Sequence, residues 1–571
     1  MNRKGLAICF YDLVGSTFQQ NLDELLAGCL QVHLAKKAKE LANQCQGGMF
    51  LQSMGDGGMV VFKEDLREGI RFCELIREYF KNEPVFSGIK SEIKISLVYG
   101  DPIVFVTLDG KNLYGANISK AARICDIAQS NEVLIDASIY ELLNDSEKEK
   151  WIDSELETHE KLKGFGQETK CYRLKEGSSE NIEDIIDFSK LRNLMNLSHI
   201  EINEIIKRDW RFISQKENLK IAEDKQGEFL YKAIWNLAEK QIPEGLLVLA
   251  DCLHFNGKYS LARKLLVLIL NQAKENPNSH AVNLTPLAYH LLGILHLARN
   301  NPELAICYYK LALEQLNNII LERTFLQIKK AIIFRDISIS LTRLRLFGEA
   351  EQKIRESINL LKELLTNDSS FIVEAEIAIS FFEYGNFFRE QEKYKDASEY
   401  YTKALDILDN ISYTESYLHR RANILVKYAD SEFNLFILSK GKYDLKLFDA
   451  YLEKALNVSQ DKFSNRLAQI NLIKFKKSVL FYKYNNLILN KDAEKYFEKA
   501  IENVKAYNEL SINLVFYDLL KFYRKLSSNR QKKLLESIVT KTISSCITRE
   551  GYNWIARELQ SFLHEIQSLH N

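Results

Sequence analysis

The 571-residue chain has few prolines, no net charge and no closely paired cysteines. All six prolines lie at or before Pro302, so proline does not interrupt helices beyond that point. Lysine plus arginine and aspartate plus glutamate both number 77, and this balance argues against a global basic field for nucleic acid or a membrane surface. The nine cysteines include no C-x-x-C pair. We therefore expect neither a zinc site nor a disulfide framework, and a cytoplasmic location.

Long apolar runs are also lacking. No unbroken stretch approaches the roughly 18 apolar residues that a membrane span needs. Residues 1–4 lead directly into a strand-like run and do not have the pattern of a signal peptide. We therefore expect neither a membrane nor a nucleic acid among the partners. Because domains commonly hold roughly 100–150 residues, more than one domain is expected.

Glycine divides the chain into two parts. Sixteen of the 24 glycines lie in residues 1–177, where β-rich apolar runs alternate with helical patterns. This predicts a mixed α/β domain over residues 1–176. A polar, turn-rich stretch follows, and we place a linker at 177–184. The remaining residues, 185–571, have helical periodicity almost throughout and predict an all-α domain.

A five-residue pattern occurs twice in the helical part with the same spacing. The two copies are Gly293, His296, Ala305, Tyr309 and Ala312, and Gly385, Phe388, Ala397, Tyr401 and Ala404. This pattern resembles tetratricopeptide repeats, although successive looser copies are farther apart than the usual 34 residues. The resemblance implies a solenoid with a concave surface for an unknown protein or peptide ligand. An irregular helical bundle is the alternative.

Two aspartates near the start lie where side chains are held firmly and their tips stay open. Asp12 ends an apolar run before a glycine, and Asp56 lies in a glycine-rich turn between two apolar stretches. Mg²⁺ prefers one or two carboxylates plus substrate phosphates over a cage made wholly of protein. The pair therefore predicts a divalent metal site for nucleotide chemistry. Alternatively, Asp12 caps a helix and Asp56 belongs to an ordinary turn.

The stretches FYDLVGST and SMGDGGMVVF, which contain these aspartates, resemble the two metal-binding motifs of class III nucleotidyl cyclases. A third stretch, NLYGANISKAARI at 112–124, resembles that family's glycine turn and following helix. The resemblance implies a ferredoxin-like α/β domain that converts a nucleoside triphosphate to a 3′,5′-cyclic monophosphate and pyrophosphate, with two Mg²⁺ or Mn²⁺ ions per site.

The resemblance also implies roles for single residues. Asp12 and Asp56 would hold both ions, together with the backbone carbonyl of Leu13 or Val14. Arg123 matches the arginine that stabilises the transition state, because a guanidinium fork suits phosphoryl oxygens. A further phosphate contact is expected from Lys163, in a stretch that looks like the family's L-K-G turn.

Other positions depart from the family pattern. Ser119 replaces the asparagine that orients the ribose. Asn117 lies roughly 200° away around a helix and would substitute only if the helix starts after it. Gln52 and Asn112 stand where adenylate cyclases carry the lysine and aspartate that read adenine. Amides both donate and accept hydrogen bonds, so these two residues indicate an atypical base pocket.

The atypical pocket favours UTP or CTP as the substrate, as in the Pycsar-type pyrimidine cyclases of anti-phage signalling, and ATP is the alternative. Family sites form between two chains, with the metal aspartates on one and the base-reading residues, Ser119 and Arg123 on the other. A homodimer with two composite sites is therefore expected. The rival interpretation is a catalytically inactive, cyclase-like dimeriser that carries a scaffold of repeats.

Overall fold

The computed structural model describes most of the chain. The described residues are 5–14, 23–53, 56–63, 65–89, 91–100, 103–107, 110–154, 170–175, 237–255, 258–318, 323–367, 371–411, 415–440, 442–459, 464–481, 487–505, 519–526, 529–547 and 553–568. At 51–53, 103–107 and 110–114 the description covers the backbone alone.

The chain divides into two compact units. The first comprises Met1–Phe188 with Glu303–Leu311, and the second comprises Ser189–Pro302 with Ala312–Asn571. The predicted linker at 177–184 lies outside the described residues. The predicted domain limits therefore stay predictions.

Strands and helices alternate in the first unit. Its described strands are β1 (Leu6–Val14), β2 (Gly48–Ser53), β3 (Gly57–Phe62), β4 (Glu92–Gly100), β5 (Ile103–Thr107), β6 (Gly110–Tyr114), β7 (Val133–Asp136), β8 (Trp151–Asp153) and β9 (Cys171–Leu174). Its described helices before residue 189 are α1 (Glu24–Gln44), α2 (Leu66–Asn82), α3 (Pro84–Gly88), α4 (Ala116–Ile127), α5 (Ala137–Leu142) and α6 (Asp145–Lys148). The two longest helices start at aspartate caps, since Asp23 accepts from the Leu26 N–H and Asp65 from the Arg67 N–H.

Seven strands form one mixed sheet in the order β2-β3-β1-β4-β7-β9-β8. Strand β1 is antiparallel to both β3 and β4, β2 is antiparallel to β3, and β4 is parallel to β7. The order β2-β3-β1-β4, with α1 and α2 as the connecting helices, is the ferredoxin-like βαββαβ arrangement. The α/β class predicted for this part of the chain is therefore observed.

The two faces of the sheet are covered by different helices. Successive side chains of a strand point to opposite faces, and on β1 the Cys9 sulfur lies 3.6 Å from that of Cys73 in α2. On the other face, Ile8 and Phe10 belong to a buried cluster with Ala121 and Ile124 of α4. Asp12 follows Ile8 and Phe10 at the same spacing of two. Its side chain therefore lies on the α4 face, at the end of the strand.

Beyond residue 236, the described residues contain helices and turns and no strand. The helices are α7 (Pro243–Phe255), α8 (Tyr259–Glu275), α9 (His280–Ala298), α10 (Pro302–Leu316), α11 (Arg323–Arg343), α12 (Phe347–Asn367), α13 (Phe371–Glu390), α14 (Tyr394–Asn410), α15 (Glu415–Leu438), α16 (Lys446–Ser459), α17 (Ser464–Phe481), α18 (Leu487–Lys505), α19 (Asn529–Ile547) and α20 (Asn553–Ser568). This part of the chain is all-α, as predicted.

Helix packing in this region follows a regular order. From α11 to α20 each helix packs against the next one in sequence, and the odd-numbered helices from α7 to α19 also contact the next odd-numbered helix. Gly385 of α13 permits one close approach, because a Cβ there would lie 2.5 Å from the Tyr401 ring of α14. These are a small and a large residue of the repeated sequence pattern, in direct contact.

One helix among the described residues, α9, is long and apolar enough to cross a membrane by length and composition. Of its 18-residue window, 72% is buried inside the structure, as in the core helices of many folded domains.

Candidate functional site

Asp12 and Asp56 lie at neighbouring ends of two paired strands. The pairing of β1 with β3 runs as far as Asp12 opposite Gly57. One residue further, the Leu13 N–H donates to the backbone carbonyl of Asp56 at 3.1 Å. Asp12 is half-buried on the face covered by α4. The fold therefore brings the two predicted metal ligands together although 43 residues separate them in sequence.

Gly57 is needed because nothing larger fits beside Asp12. A Cβ at this position would lie 2.5 Å from the Tyr11 carbonyl oxygen and 2.8 Å from the Asp12 Oδ1. Either distance is shorter than real Cβ contacts. Sequence reasoning treated Gly57 only as part of a turn, although its place directly after Asp56 could have indicated its role.

The Asp12 carboxyl is held in an environment that disfavours its charge. Burial raises its pKa to about 6, and the nearby charges of Asp56 and Asp126 add to this effect. The Leu13 backbone N–H and the Lys94 charge act in the opposite direction but are outweighed. A bound cation would reverse this balance, because it would favour the ionised carboxylate.

The donor set fits a magnesium-type ion that also uses substrate oxygens. Among the described residues there is no group of three or more His, Cys, Asp or Glu side chains that could hold a metal alone. Two carboxylates at the end of a sheet are what Mg²⁺ commonly takes from a protein when phosphates complete the coordination. Asp12 and Asp56 therefore suit an ion that arrives with a nucleotide.

The strand geometry favours Leu13 over Val14 as the residue whose backbone carbonyl would bind the ions. In a strand, the N–H and C=O of one residue point to the same neighbour. The Leu13 N–H points to Asp56, so its carbonyl lies on the Asp56 side as well. Val14 follows it and pairs with Glu92 of β4. Leu13 is therefore the better placed of the two predicted carbonyl ligands.

Helix α4 presents Ser119 and Arg123 outward. The two residues are one turn apart on the helix and both are exposed, whereas Ala121 and Ile124 are buried against the sheet. A hydrogen bond from the Ser96 hydroxyl to the Ala121 carbonyl, 2.7 Å long, fixes the helix to β4. The outward face is thus available to another molecule.

Arg123 is engaged within its own helix. Its Nη1 lies 3.1 Å from Asp126 Oδ2, and the two side chains are 49% and 62% exposed. Such an exposed pair is worth little energy, so a phosphate can replace it. Asp126 also influences Asp12 electrostatically, and the backbone carbonyl of Asp126 accepts from Lys94 at 3.2 Å. Neither Lys94 nor Asp126 was identified from sequence.

The position at which α4 begins excludes Asn117 as an alternative to Ser119. The helix begins at Ala116, after Gly115 with a φ of 150°, so Asn117 lies inside its first turn. A Cβ on Gly100 would lie 1.9 Å from the Asn117 Nδ2, which shows that this side chain packs against the end of β4. Asn117 therefore does not take the place of the missing asparagine, and Ser119 stays the candidate.

Three predicted substrate contacts are described incompletely or lie outside the described residues. Gln52 lies in β2 opposite Met59, just after an irregularity in the pairing. Asn112 lies in β6 opposite Phe105. Their backbones are placed and their side chains lie outside the description, as does the whole of Lys163. Their roles stay predictions.

Comparison with known proteins gives distant structural likeness alone. No family model and no curated protein matches the chain. Among solved structures, it is similar to the adenylyl cyclase CyaB from P. aeruginosa, with 18% identity over 31% of this chain and 96% of that chain and a TM-score of 0.27. The guanylate cyclase domain of RhGC from Catenaria anguillulae, in complex with GTP, has 17% identity over 30% and 97%, with a TM-score of 0.27.

A third similar structure is an adenylate cyclase from Trypanosoma brucei in its monomeric state. Its identity is 14%, over 30% of this chain and 89% of that chain, with a TM-score of 0.25. Identities and TM-scores this low do not by themselves establish a shared family.

Proposed function

We propose that the first unit is a class III nucleotidyl cyclase domain, a phosphorus–oxygen lyase that converts a nucleoside triphosphate to a 3′,5′-cyclic monophosphate and pyrophosphate. The observation that carries the proposal is the placement of Asp12 and Asp56 at adjacent ends of paired strands, beside a glycine that leaves room for the Asp12 carboxylate. The raised pKa of Asp12 supports it, because carboxylates set together without enough positive charge favour a cation.

Asp12, Asp56 and the Leu13 carbonyl would hold two divalent ions, Mg²⁺ or Mn²⁺. Bound there, the ions would lower the pKa of the ribose 3′-OH and neutralise the triphosphate. Gly57 keeps the space beside Asp12 open. The sheet fixes both carboxylates, since the strand pairing on each side of β1 holds Asp12 in register.

Arg123 and Ser119 would act on a nucleotide held by a second copy of the chain. Both are exposed on α4 and lie one turn apart. The Arg123 guanidinium would contact phosphoryl oxygens as charge develops on them. The Ser119 hydroxyl would orient the ribose with a shorter reach than asparagine. The expected assembly is a homodimer with two composite sites.

Composite sites can be tested by mixing variants. Asp56→Ala and Arg123→Ala should each be inactive alone. After statistical subunit exchange, half of the dimers are mixed and each has one intact site of two, so about a quarter of wild-type activity should return. No recovery, although exchange is demonstrated by a tag pull-down, would show that each site lies within one chain.

The base that is read is a finer part of the proposal. Amides at Gln52 and Asn112 argue against the usual adenine-reading pair, so we favour UTP or CTP and a cUMP or cCMP product. Such a product would fit a second messenger in the cytoplasm, as in anti-phage defence. ATP, giving cAMP, is the runner-up.

For the helical unit we propose a tetratricopeptide-like repeat array that docks a protein or peptide. The support is the repeated spacing and the regular packing of the odd-numbered helices. A second candidate function for the whole chain is a catalytically inactive dimeriser with this scaffold. Serine in place of asparagine at Ser119 favours that rival.

The deciding experiment is incubation of the purified protein with each of the four nucleoside triphosphates and Mn²⁺ or Mg²⁺, with products identified by mass spectrometry. We expect a cyclic monophosphate and pyrophosphate in equal amounts from at least one triphosphate. Asp12→Ala protein serves as the control for contaminating enzymes. No cyclic product from any triphosphate would favour the inactive dimeriser.

A further inference from the structure

The last turn of α4 carries a carboxylate where helices disfavour one. Asp126 lies one residue before Ile127, at which α4 ends, and the last turn, all of which the structure describes, contains no basic residue. The C-terminal end of a helix has partial negative charge, so a carboxylate there is unfavourable unless a cation lies nearby. Asp126 is therefore stabilised by any positive charge that comes close to the end of α4.

One such charge is the guanidinium of Arg123, one turn earlier on the same helix. In the part of the chain that the structure describes, the contact between Arg123 Nη1 and Asp126 Oδ2 is the only ion pair that either side chain forms. Both side chains are about half exposed or more, and water weakens such a pair. Arg123 therefore compensates only part of the Asp126 charge, and it can be drawn away by a stronger anion.

The end of α4 is fixed close to the first candidate metal ligand. Asp12 lies directly opposite Lys94 in the pairing of β1 with β4, so their side chains are neighbours on the face of the sheet that α4 covers. Lys94 Nζ donates to the Asp126 backbone carbonyl at 3.2 Å, and Cys125 Sγ donates to the Lys94 carbonyl at 3.6 Å. A single lysine side chain therefore spans the distance from the strand position beside Asp12 to the end of α4.

Two neighbouring groups respond to the negative charge of Asp126. The pKa of Asp12 is raised by burial and by Asp56, and Asp126 raises it further. Burial also raises the pKa of the Cys125 thiol, and the charges of Asp12 and Asp126 add to this effect. Lys94 acts in the opposite direction on both groups without cancelling these effects. The charge of Asp126 therefore reaches the carboxylate that would hold a divalent ion.

We propose that Asp126 strengthens divalent-cation binding at Asp12 and Asp56 without being a ligand, and that Arg123 controls this effect. Among the described residues no three acidic, histidine or cysteine side chains are grouped to hold an ion, so Asp126 acts through space or through water bound to the ion. A phosphate that draws Arg123 away frees the Asp126 charge, and the cation is then held more tightly. This inference rests on the metal site of the proposed function.

The test is a double-mutant cycle on the full-length protein, in which Mn²⁺ alone is titrated at low ionic strength and followed by electron paramagnetic resonance. Asp126→Asn should weaken Mn²⁺ binding about threefold, and Arg123→Gln should strengthen it about twofold. In the Asp126→Asn background, Arg123→Gln should have no further effect. All differences should shrink in about 0.5 M salt. Asp126→Asn keeps the hydrogen bond from Lys94, because a backbone carbonyl accepts it.

The matched control is Asp153→Asn, which removes the carboxylate of another exposed ion pair in the first unit. Asp153 lies in β8, and β4, β7 and β9 separate that strand from β1, so Mn²⁺ binding should not change.

Two results would overturn the inference while leaving the metal site in place. One is wild-type Mn²⁺ affinity in Asp126→Asn when Asp12→Asn weakens binding. The other is an equal gain from Arg123→Gln with and without Asp126, because Arg123 would then act on Asp12 directly. Unchanged Mn²⁺ binding by Asp12→Asn would instead overturn the metal site of the proposed function, and this inference with it. Circular dichroism verifies that each variant is folded.

Discussion

Two aspartates at strand ends of the same sheet have opposite surroundings. Asp12 ends Cys9-Phe10-Tyr11 in β1, and Asp136 ends Val133-Leu134-Ile135 in β7. Asp136 is 0% exposed and accepts from Lys120 Nζ at 2.6 Å, from the Ser138 hydroxyl at 2.7 Å and from the Ile139 N–H at 3.3 Å. It caps α5, so its charge is matched within the chain.

Asp12 has neighbours of its own sign instead. Asp56 and Asp126 add to the effect of burial on its pKa, and among the described residues it forms no ion pair within contact distance. The two strands have nearly the same sequence pattern, an apolar run that ends in aspartate. What separates a structural cap from a candidate metal ligand is therefore the charge that the fold brings next to it.

The largest expected difference is in catalysis. Asp12→Ala or Asp56→Ala should lower cyclisation by at least several hundredfold, because triphosphate charge would no longer be neutralised. Dimerisation should survive, as measured by analytical ultracentrifugation. Asp153→Asn is the control, since Asp153 is exposed and, in the part of the chain that the structure describes, pairs with the exposed Lys170 at 2.8 Å. Near-normal turnover of the Asp12 variant would show that Asp12 does not belong to the catalytic site.

The corresponding change at Asp136 should affect the stability of the protein. Asp136→Ala should cost about 2–3 kcal/mol of unfolding free energy, because it leaves Lys120 and the first turn of α5 without their acceptor. Urea unfolding at neutral pH measures this difference. A cost near zero would mean that Asp136 is not the structural counterpart described here.

Gly57 offers a steric version of the same comparison. Gly57→Ala should lower cyclisation about ten- to a hundredfold, since the added Cβ would displace the Asp12 carboxylate. Gly28→Ala is the matched control, because a Cβ at Gly28 in α1 meets nothing within 4 Å. That variant should keep full activity and gain up to about 1 kcal/mol from helix propensity. Equal activity in the two variants would show that the space beside Asp12 is not needed.

The smallest effect concerns Asp12 without metal. A carboxyl whose pKa is about 6 when folded binds protons more readily in the folded state, so the protein loses stability as pH rises from about 4 to about 6. Asp12→Asn avoids this loss. In the presence of a chelator it should be more stable than wild type by about 1–2 kcal/mol at pH 7, allowing for solvent screening, with no advantage below about pH 4. Unfolding curves of the wild-type and Asp12→Asn proteins, measured across that pH range, test this difference in stability.

The sequence predicted the α/β class, the all-α remainder and the two strand-end aspartates, because alternation and turn residues are local signals. It did not identify Lys94 or Asp126, which reach the site only through the pairing of β1 with β4 and the packing of α4. The steric need for Gly57 was likewise hidden, since it depends on a strand 45 residues earlier.

The most direct test of the central claim is a Mn²⁺ titration followed by electron paramagnetic resonance, in the presence of 3′-deoxynucleoside triphosphates that lack the attacking hydroxyl. Wild-type and Asp153→Asn proteins should bind Mn²⁺ saturably. The full affinity for Mn²⁺ should be reached only when a triphosphate is present. Asp12→Asn should weaken this binding at least about tenfold. Equal Mn²⁺ binding by wild-type and Asp12→Asn proteins would contradict the assignment of Asp12 as a metal ligand.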